Sequence, residues 1–376
     1  MDFSYSEEQT LLRNSVSKFL ADNYDFDAFK KISRSETGWS PKNWKQFAEL
    51  GLMAAPLPEA YGGLGGGPVD TMVVMEEFGR HLVVEPFVQT VVVGGGFINH
   101  GGSEALKQEW LGKIAGGEAV MAFAFAEPQG RYNYADLTTT AKKQGSGYVL
   151  NGAKAVVVGA PWADTLIVTA RTAGGQRDAK GVSVFLVDKN SKGVTARDYP
   201  TVDGLRASEI GFENVEVPAA NVIGTVDDGL ALIERVTDEA IAAHASEAVG
   251  AMKVLLDTTV EYTKTRKQFG VPIGKFQVLQ HRMVDMFMNY EQSASITLMV
   301  TLKLGESDAE RKKAASAAKV QIGKAGRFVG QQAVQLHGGM GMTDELNVGH
   351  YFKRLTMLDT LFGNVDHHLK RYASLG

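Results

Sequence analysis

The sequence has no cysteine among its 376 residues. That excludes disulfide frameworks, thiolate zinc sites, iron–sulfur clusters and cysteine nucleophiles together, and it suits a reducing cytoplasm. No apolar run approaches the ~20 residues that a membrane-spanning helix needs, so no membrane insertion is expected. Charge of either sign is in little excess: 43 acidic against 39 basic side chains leave a net charge of −4. Such a balance gives no general electrostatic reason to bind nucleic acid or an anionic membrane. The start, Met1-Asp2-Phe3-Ser4-Tyr5-Ser6-Glu7-Glu8, carries acids where a signal or transit peptide would carry basic residues. Ser374-Leu375-Gly376 is not a peroxisomal address. Together these absences predict a bacterial-type cytoplasmic protein.

What is present is a long, ordinary globular chain. A hydrophobic share of 44% and a charged share of 22% are those of a soluble protein. The length exceeds one ordinary core and predicts two or three domains. Residues 4–120 read as helices: Ser6 caps one that carries Leu11, Leu12, Val16, Phe19 and Leu20, and Ser40-Pro41 opens another with Trp44, Phe47, Leu50 and Leu52. A glycine-rich loop follows at Tyr61–Pro68, then helices over Asp70–Arg80 and Ser103–Ile114. From Phe123 the texture is β. Tyr148–Val158 reads as strand, Asn151-Gly152 turn, strand, and further runs lie at Leu166–Arg171, Val182–Val187 and Ile210–Val217. After Gly224 the helical period returns over Leu230–Arg266, Phe276–Gly305, Asp308–Leu336 and His350–Tyr372. The predicted fold is mainly α with a β insert: an N-terminal α-helical domain (1–120), a middle β-barrel or sandwich domain (121–229) and a C-terminal four-helix bundle (230–376).

Several connecting segments carry potential chemistry. Arg266-Lys267-Gln268-Phe269-Gly270-Val271-Pro272 joins two long helices. It reads either as a plain helix–helix connection or as a fork for phosphate beside a stacking face for an aromatic base. In His337-Gly338-Gly339-Met340-Gly341, three glycines fall within four positions directly after a helix. One glycine stops a helix; three suggest main-chain N–H groups left open to a ligand. Phe125-Ala126-Glu127-Pro128-Gln129-Gly130-Arg131 enters the β region as a turn, and Gly204–Glu209 reads as a polar hairpin.

In this order and at these separations, the segments resemble the flavin-dependent acyl-CoA dehydrogenase family from about Ser6 to Arg371. The signposts are Glu49-Leu50-Gly51-Leu52 with Pro58-Glu59-Ala60-Tyr61-Gly62-Gly63, Glu127-Pro128, Asn151-Gly152-Ala153-Lys154, Phe212–Pro218, Arg266–Gly270 and Gln335–Gly341. Within the family the chain looks most like the small-subunit type of pimeloyl-CoA dehydrogenase. The resemblance implies FAD as cofactor, an acyl-CoA substrate, a homo- or heterotetramer and electron-transfer flavoprotein as acceptor. It implies oxidation to the trans-2-enoyl-CoA, with a carboxylate removing the α proton. It places FAD against Phe123, Phe125, Ala126, Val156 and Val158, and a neighbouring subunit's FAD against Arg266, Gln268, Phe269, Gln277, Gln335, Gly338 and Gly339. Arg131, Tyr132, Asp238 and Phe362 fall at substrate positions, with Tyr134 also at the acyl entrance; Arg131 would suit the distal carboxylate of a dicarboxylyl-CoA.

Departures from the family pattern matter as much. At the usual position of the base, an aromatic-Glu-Gly-Thr motif, this chain reads Phe362-Gly363-Asn364-Val365, so Gly363 stands in for the glutamate. A minority of members carry the glutamate at the position of Ala240, with an arginine at the position of Ile241. Glu239 is one residue away, a rotation of about 100° on a helix. It is the candidate base if the helix starts irregularly, and otherwise reads with Asp238 as an exposed acidic pair. Ala126, Val156, Val158 and Tyr132 replace residues that usually meet the flavin, and Val365 and His367 alter the end of the motif, whereas the set offered to a neighbour is intact. The resemblance therefore leaves four readings: a dehydrogenase with an unusual base, a half-site subunit of a heteromeric dehydrogenase, a same-fold flavoprotein doing desulfination or monooxygenation, and a CoA-binding relative without flavin.

Overall fold

The computed structural model describes residues 4–376, so Met1-Asp2-Phe3 of the acidic amino terminus lie outside the described residues. The chain divides into two compact units, each assembled from separated stretches.

One unit holds the residues up to Lys31, Pro68–Val83 and Ile241–Gly376. Its first helices are α1 (Glu7–Asn23) and α2 (Phe26–Ser33). Ser6 caps α1 reciprocally with Gln9, which satisfies amides that have no partner inside the helix. The other unit contributes α3 (Pro41–Glu49), whose amino end is capped by Ser40. In the first unit α4 (Pro68–His81) carries the buried Met72, Val73, Val74, Met75 and Phe78. In the second, a π-helical turn over Val88–Gly94 runs into α5 (Gly95–Gly101), followed by α6 (Glu104–Ala115).

The second unit also contains an eight-stranded sheet, mostly antiparallel. Its strands are β1 (Met121–Ala124), β2 (Thr140–Gln144), β3 (Gly147–Val158), β4 (Thr165–Arg171), β5 (Val182–Asp188), β6 (Val194–Pro200), β7 (Arg206–Pro218) and β8 (Val222–Ile223). They run in the order β6-β7-β3-β2-β4-β5-β8, with β1 added parallel to β4. Strand β4 is buried along its whole length, as is β5 up to Asp188, and both therefore read as continuous apolar runs rather than alternations. The expected turn at Asn151-Gly152 does not form. Strand β3 passes straight through, and the ladder with β7 shifts register there instead. Gly152 takes φ +146°, and a Cβ on it would lie 2.6 Å from Thr139, so the glycine serves a bulge and a close contact.

The bundle is α7 (Leu230–Thr265), α8 (Gln277–Lys303), α9 (Asp308–His337) and a fourth element in two pieces, α10 (Val348–Thr360) and α11 (Val365–Ser374). The single helix expected over His350–Tyr372 is thus broken. Phe362 at φ +57° and Gly363 at φ +113° leave the helical region, and Asn364 restarts the chain by accepting a hydrogen bond from the His367 amide at 3.0 Å. Among the described residues no helix is long and apolar enough to cross a membrane.

Candidate functional site

On the sheet side, the loop leaving β1 is fixed by a buried ion pair. Lys154 Nζ on β3 lies 2.7 Å from Glu127 Oε1, and neither side chain is exposed. The ammonium also donates to the Phe125 carbonyl at 3.3 Å and to Thr169 Oγ1 at 3.1 Å. Glu127 accepts further bonds from the Thr138 and Thr139 amides at 2.7 and 3.2 Å. Burial pushes the Glu127 carboxyl up, but Lys154 and the Thr138 bonds outweigh it and hold the carboxyl at about 2. Both residues stand in the sequence signposts, yet nothing in the sequence pairs them. The main chain adds an Ala155 amide bond to the Ala126 carbonyl at 2.8 Å.

This frame presents an apolar, aromatic wall. Phe123 is buried and stacks at 4.8 Å on Phe125, which meets Tyr134 edge-on at 5.5 Å. Val156 sits in the second register shift of β3, at φ +52°, with its side chain 49% exposed. A β-branched residue in the left-handed region is strained, and such strain concentrates at ligand sites. Its amide points at Glu209 (3.4 Å), which also accepts from Tyr199 at 2.8 Å; burial and that carboxylate push the Tyr199 hydroxyl up to about 12. Val158 and Tyr132 are half-buried, and Arg131 is exposed at φ +49°.

In the same unit, Glu239 does not stand alone. It is 2.8 Å from His100 Nε2 and 3.4 Å from Arg235 Nε. Asp238 is fully buried, so the two are not an exposed acidic pair. No motif in the sequence marks His100 and Arg235 as partners of Glu239.

At one end of the bundle, Lys267-Gln268 and Val271-Pro272 pair as a small antiparallel ribbon. Its two-residue turn, Phe269 (φ +53°) and Gly270 (φ +81°), leaves the Phe269 ring 92% exposed. Arg266, Gln268, Gln277 and Gln335 are all exposed. Helix α9 stops at Gly338, whose φ +60°, ψ −141° is open only to glycine. A Cβ on Gly338 or Gly339 would meet nothing within 4 Å, so the main chain there is bare. Tyr262 near the end of α7 stacks on His337 at 4.3 Å, which brings the ribbon and the glycine turn to the same end of the bundle.

Elsewhere in that unit, Gly363 is enclosed. A Cβ on it would lie 2.6 Å from both the His367 and His368 rings. Burial drives His368 down to about 3 although its Nε2 faces the Phe362 carbonyl at 3.0 Å. Next to Phe362, stacked at 6.0 Å, lies His244 of α7. Its Nδ1 is 3.0 Å from Glu247 Oε2, and Arg354 of α10 grips Glu247 with two bonds of 2.5 and 2.9 Å. All three side chains are buried. Burial pushes Glu247 up, but Arg354 and His244 hold it down at about 2. Nothing in the sequence joins the three residues of this cluster. Its only local signal was the three-residue spacing of His244 and Glu247 on an apolar helix.

Comparison with known proteins covers nearly the whole chain. The family models for the N-terminal, middle and C-terminal domains of acyl-CoA dehydrogenase match residues 6–118, 122–215 and 227–374. The probable acyl-CoA dehydrogenase YngJ of Bacillus subtilis is 32% identical over 371 residues, covering 96% of this chain and 95% of that protein. PigA, solved as its FAD complex, superposes with a TM-score of 0.92 at 27% identity, covering 100% of this chain and 98% of PigA. A Tcur3481–Tcur3483 steroid ACAD, solved as a G363A variant, gives a TM-score of 0.88 at 27% identity, covering 98% and 97%.

Proposed function

The chain belongs to the acyl-CoA dehydrogenase family, and from that premise we propose that it works with FAD in the α,β-dehydrogenation of an acyl-CoA to the trans-2-enoyl-CoA. The observation that carries this reading is the end of the bundle where the bare Gly338-Gly339 main chain, the exposed Arg266 and the 92% exposed Phe269 ring are grouped. A dinucleotide cofactor needs such a set: amides and a guanidinium fork for its diphosphate, an aromatic face for its base. On the sheet, Val156 and Phe125 offer an apolar surface whose backbone is set by the Lys154–Glu127 pair, which suits a flat ring. When bound, FAD supplies the hydride acceptor that side chains lack. The chain's own part is to hold the thioester, exclude water and accept the α proton. Electron-transfer flavoprotein is the acceptor this reading assigns. Arg131, exposed beside the aromatic wall, is assigned to the distal carboxylate of a dicarboxylyl-CoA, in line with the resemblance to the small-subunit type of pimeloyl-CoA dehydrogenase.

A second reading has its own support. Gly363 carries no acid and its surroundings are filled by His367 and His368, while the surface suited to a neighbour's nucleotide is complete. In this reading the chain is the half-site subunit of a heteromeric dehydrogenase, its ribbon and glycine turn serving a partner's FAD. Purification of the chain alone, followed by a visible spectrum, decides between them. One flavin per subunit, bleached anaerobically by an acyl-CoA, is the expected result. Flavin that appears only after co-expression with a second subunit favours the half-site reading. Flavin that is bound but bleached by no acyl-CoA overturns dehydrogenation and points to other chemistry on the same fold.

A further inference from the structure

We propose that the cleft at the carboxyl-terminal ends of α1 and α4 binds a small organic ammonium ion, at a site separate from the flavin surfaces and independent of the dehydrogenase reading. The cleft measures about 250 Å3, and all its lining residues belong to one compact unit. It is walled by the end of α1 and the turn after it, by residues 80–82, and by Val254, Asn347 and Tyr351. Leu20, Tyr24, Leu82 and Tyr351 are buried, whereas Ala21 and Asp25 are exposed, so the cleft opens to solvent. Its volume is a little under the ~300–1,000 Å3 of pockets for drug-sized ligands, which fits one ring on a short chain.

The walls are rich in acceptors that nothing in the chain uses. The side chains of His81 and Asn347 are half-buried and make no hydrogen bond among the described residues. The carbonyls of Ala21 and His81 accept none either, although the nearby Leu20 and Phe78 carbonyls take the Tyr24 and Val83 amides at 2.8 and 3.2 Å. These are the free ends of α1 and α4, where the helix dipole is negative and favours a cation. Burial and Arg80 hold the His81 ring down at about 4. At neutral pH that ring is uncharged and keeps a lone pair to offer.

Charge decides between an amine and an acid. Arg80 is engaged by Glu76 at 2.8 Å and Glu77 at 3.4 Å, and Arg13 reaches Glu77 at 3.3 Å. Lys30 is held by Asp27 at 2.8 Å. Asp25 has no cationic partner among the described residues; its Oδ1 accepts from the Ala28 amide at 2.8 Å. The unmatched charge at the cleft is thus a carboxylate, which attracts an ammonium and repels an acid. Tyr24, Phe26 and Tyr351 line the same cleft, and aromatic rings attract an ammonium where aliphatic walls do not. Leu82 adds apolar wall under strain: at φ +55° it occupies the left-handed stop of α4 that glycine usually fills.

The test titrates the full chain, as purified, with 2-phenylethylamine by isothermal calorimetry. Its uncharged isostere 2-phenylethanol and the acid phenylacetate are titrated alongside. The amine is expected to bind with a dissociation constant of ~0.1–1 mM, and the alcohol and the acid at least ~10-fold more weakly. Ala21→Phe puts a ring into the cleft from an exposed position and should weaken the amine by at least ~10-fold. Asp25→Asn keeps a capping side chain on α2 and should weaken it by ~2–5-fold. No binding of the amine to the parent overturns the proposal. Equal affinity for 2-phenylethanol or for phenylacetate overturns it too, because the site would then not select positive charge. Parent-like binding by Ala21→Phe places the amine elsewhere and overturns the site. Should Ala21→Phe not fold, an affinity unmoved in Asp25→Asn overturns it instead.

Discussion

At the scale of the residue, buried charge decides what substitutions this chain tolerates. Glu127 and Lys154 are both fully buried, so removing one charge strands the other. Glu127→Gln is expected to cost about 3–5 kcal/mol, read as a lowered urea midpoint. The pH dependence has a definite sign. The folded Glu127 carboxyl sits at about 2, below its ordinary 4.5, so its contribution is complete above pH 4.5 and drains away as pH falls toward 2. Glu247 behaves alike for the same reason. In Glu127→Gln the acid-induced loss of stability should therefore be shallower than in the parent across that window. Gly363 makes the opposite point. Placing an acid at this position by Gly363→Glu puts a Cβ 2.6 Å from two imidazoles at φ +113°. We expect a fall in stability of ~2–4 kcal/mol and no gain in flavin bleaching, measured by melting and anaerobic titration. A stable, faster Gly363→Glu would show that His367 and His368 swing aside.

At the scale of the element, local signals were legible and long-range ones were not. Ser6 and Ser40 announced their helices because capping is a contact within three residues. Strands β3, β4, β5 and β7 were legible from their β runs, whereas β2 and β6, mostly exposed and polar, carry no such run. Asn151-Gly152 misled because that dipeptide also suits a bulge, and only the packing of Gly152 on Thr139 selects between them. The break before α11 was hidden by the continuous apolar period on either side of it. Its physical cause is the Asn364 cap, and Asn364→Ala is expected to cost ~1 kcal/mol and to speed hydrogen exchange at the Asp366–His368 amides selectively. The site divides the same way. The glycine turn and the Arg266–Phe269 ribbon stand out as strings of residues, whereas Glu127–Lys154 and Glu247–Arg354 join positions 27 and 107 residues apart. No periodicity within a helix or strand encodes such a pairing; only the tertiary fold does.

At the scale of the whole molecule, the bundle surface carries an argument about association. Along α8, Val278, Val284, Phe287 and Met288 are 63%, 53%, 50% and 47% exposed. Three of these, at positions 284, 287 and 288, share one face by helical spacing, so the exposure is a stripe rather than scattered singles. A chain with a net charge of only −4 has little overall repulsion to keep such stripes apart. The ribbon adds Phe269 at 92% and Val271 at 37% exposure in the same unit. In both readings proposed above, the exposed surface at Arg266 and Gly338 meets a nucleotide only when a cofactor is brought to it, so the occupant consistent with them is another chain of this fold. The double variant Val284→Glu, Phe287→Glu places two carboxylates on the stripe without touching a buried residue. Size-exclusion chromatography with light scattering should show a smaller species than the parent, with an unchanged far-ultraviolet dichroism spectrum. Its flavin content should fall along with its mass if the ribbon serves a neighbour's cofactor, and an unaltered mass would mean that the stripe faces solvent in the working protein.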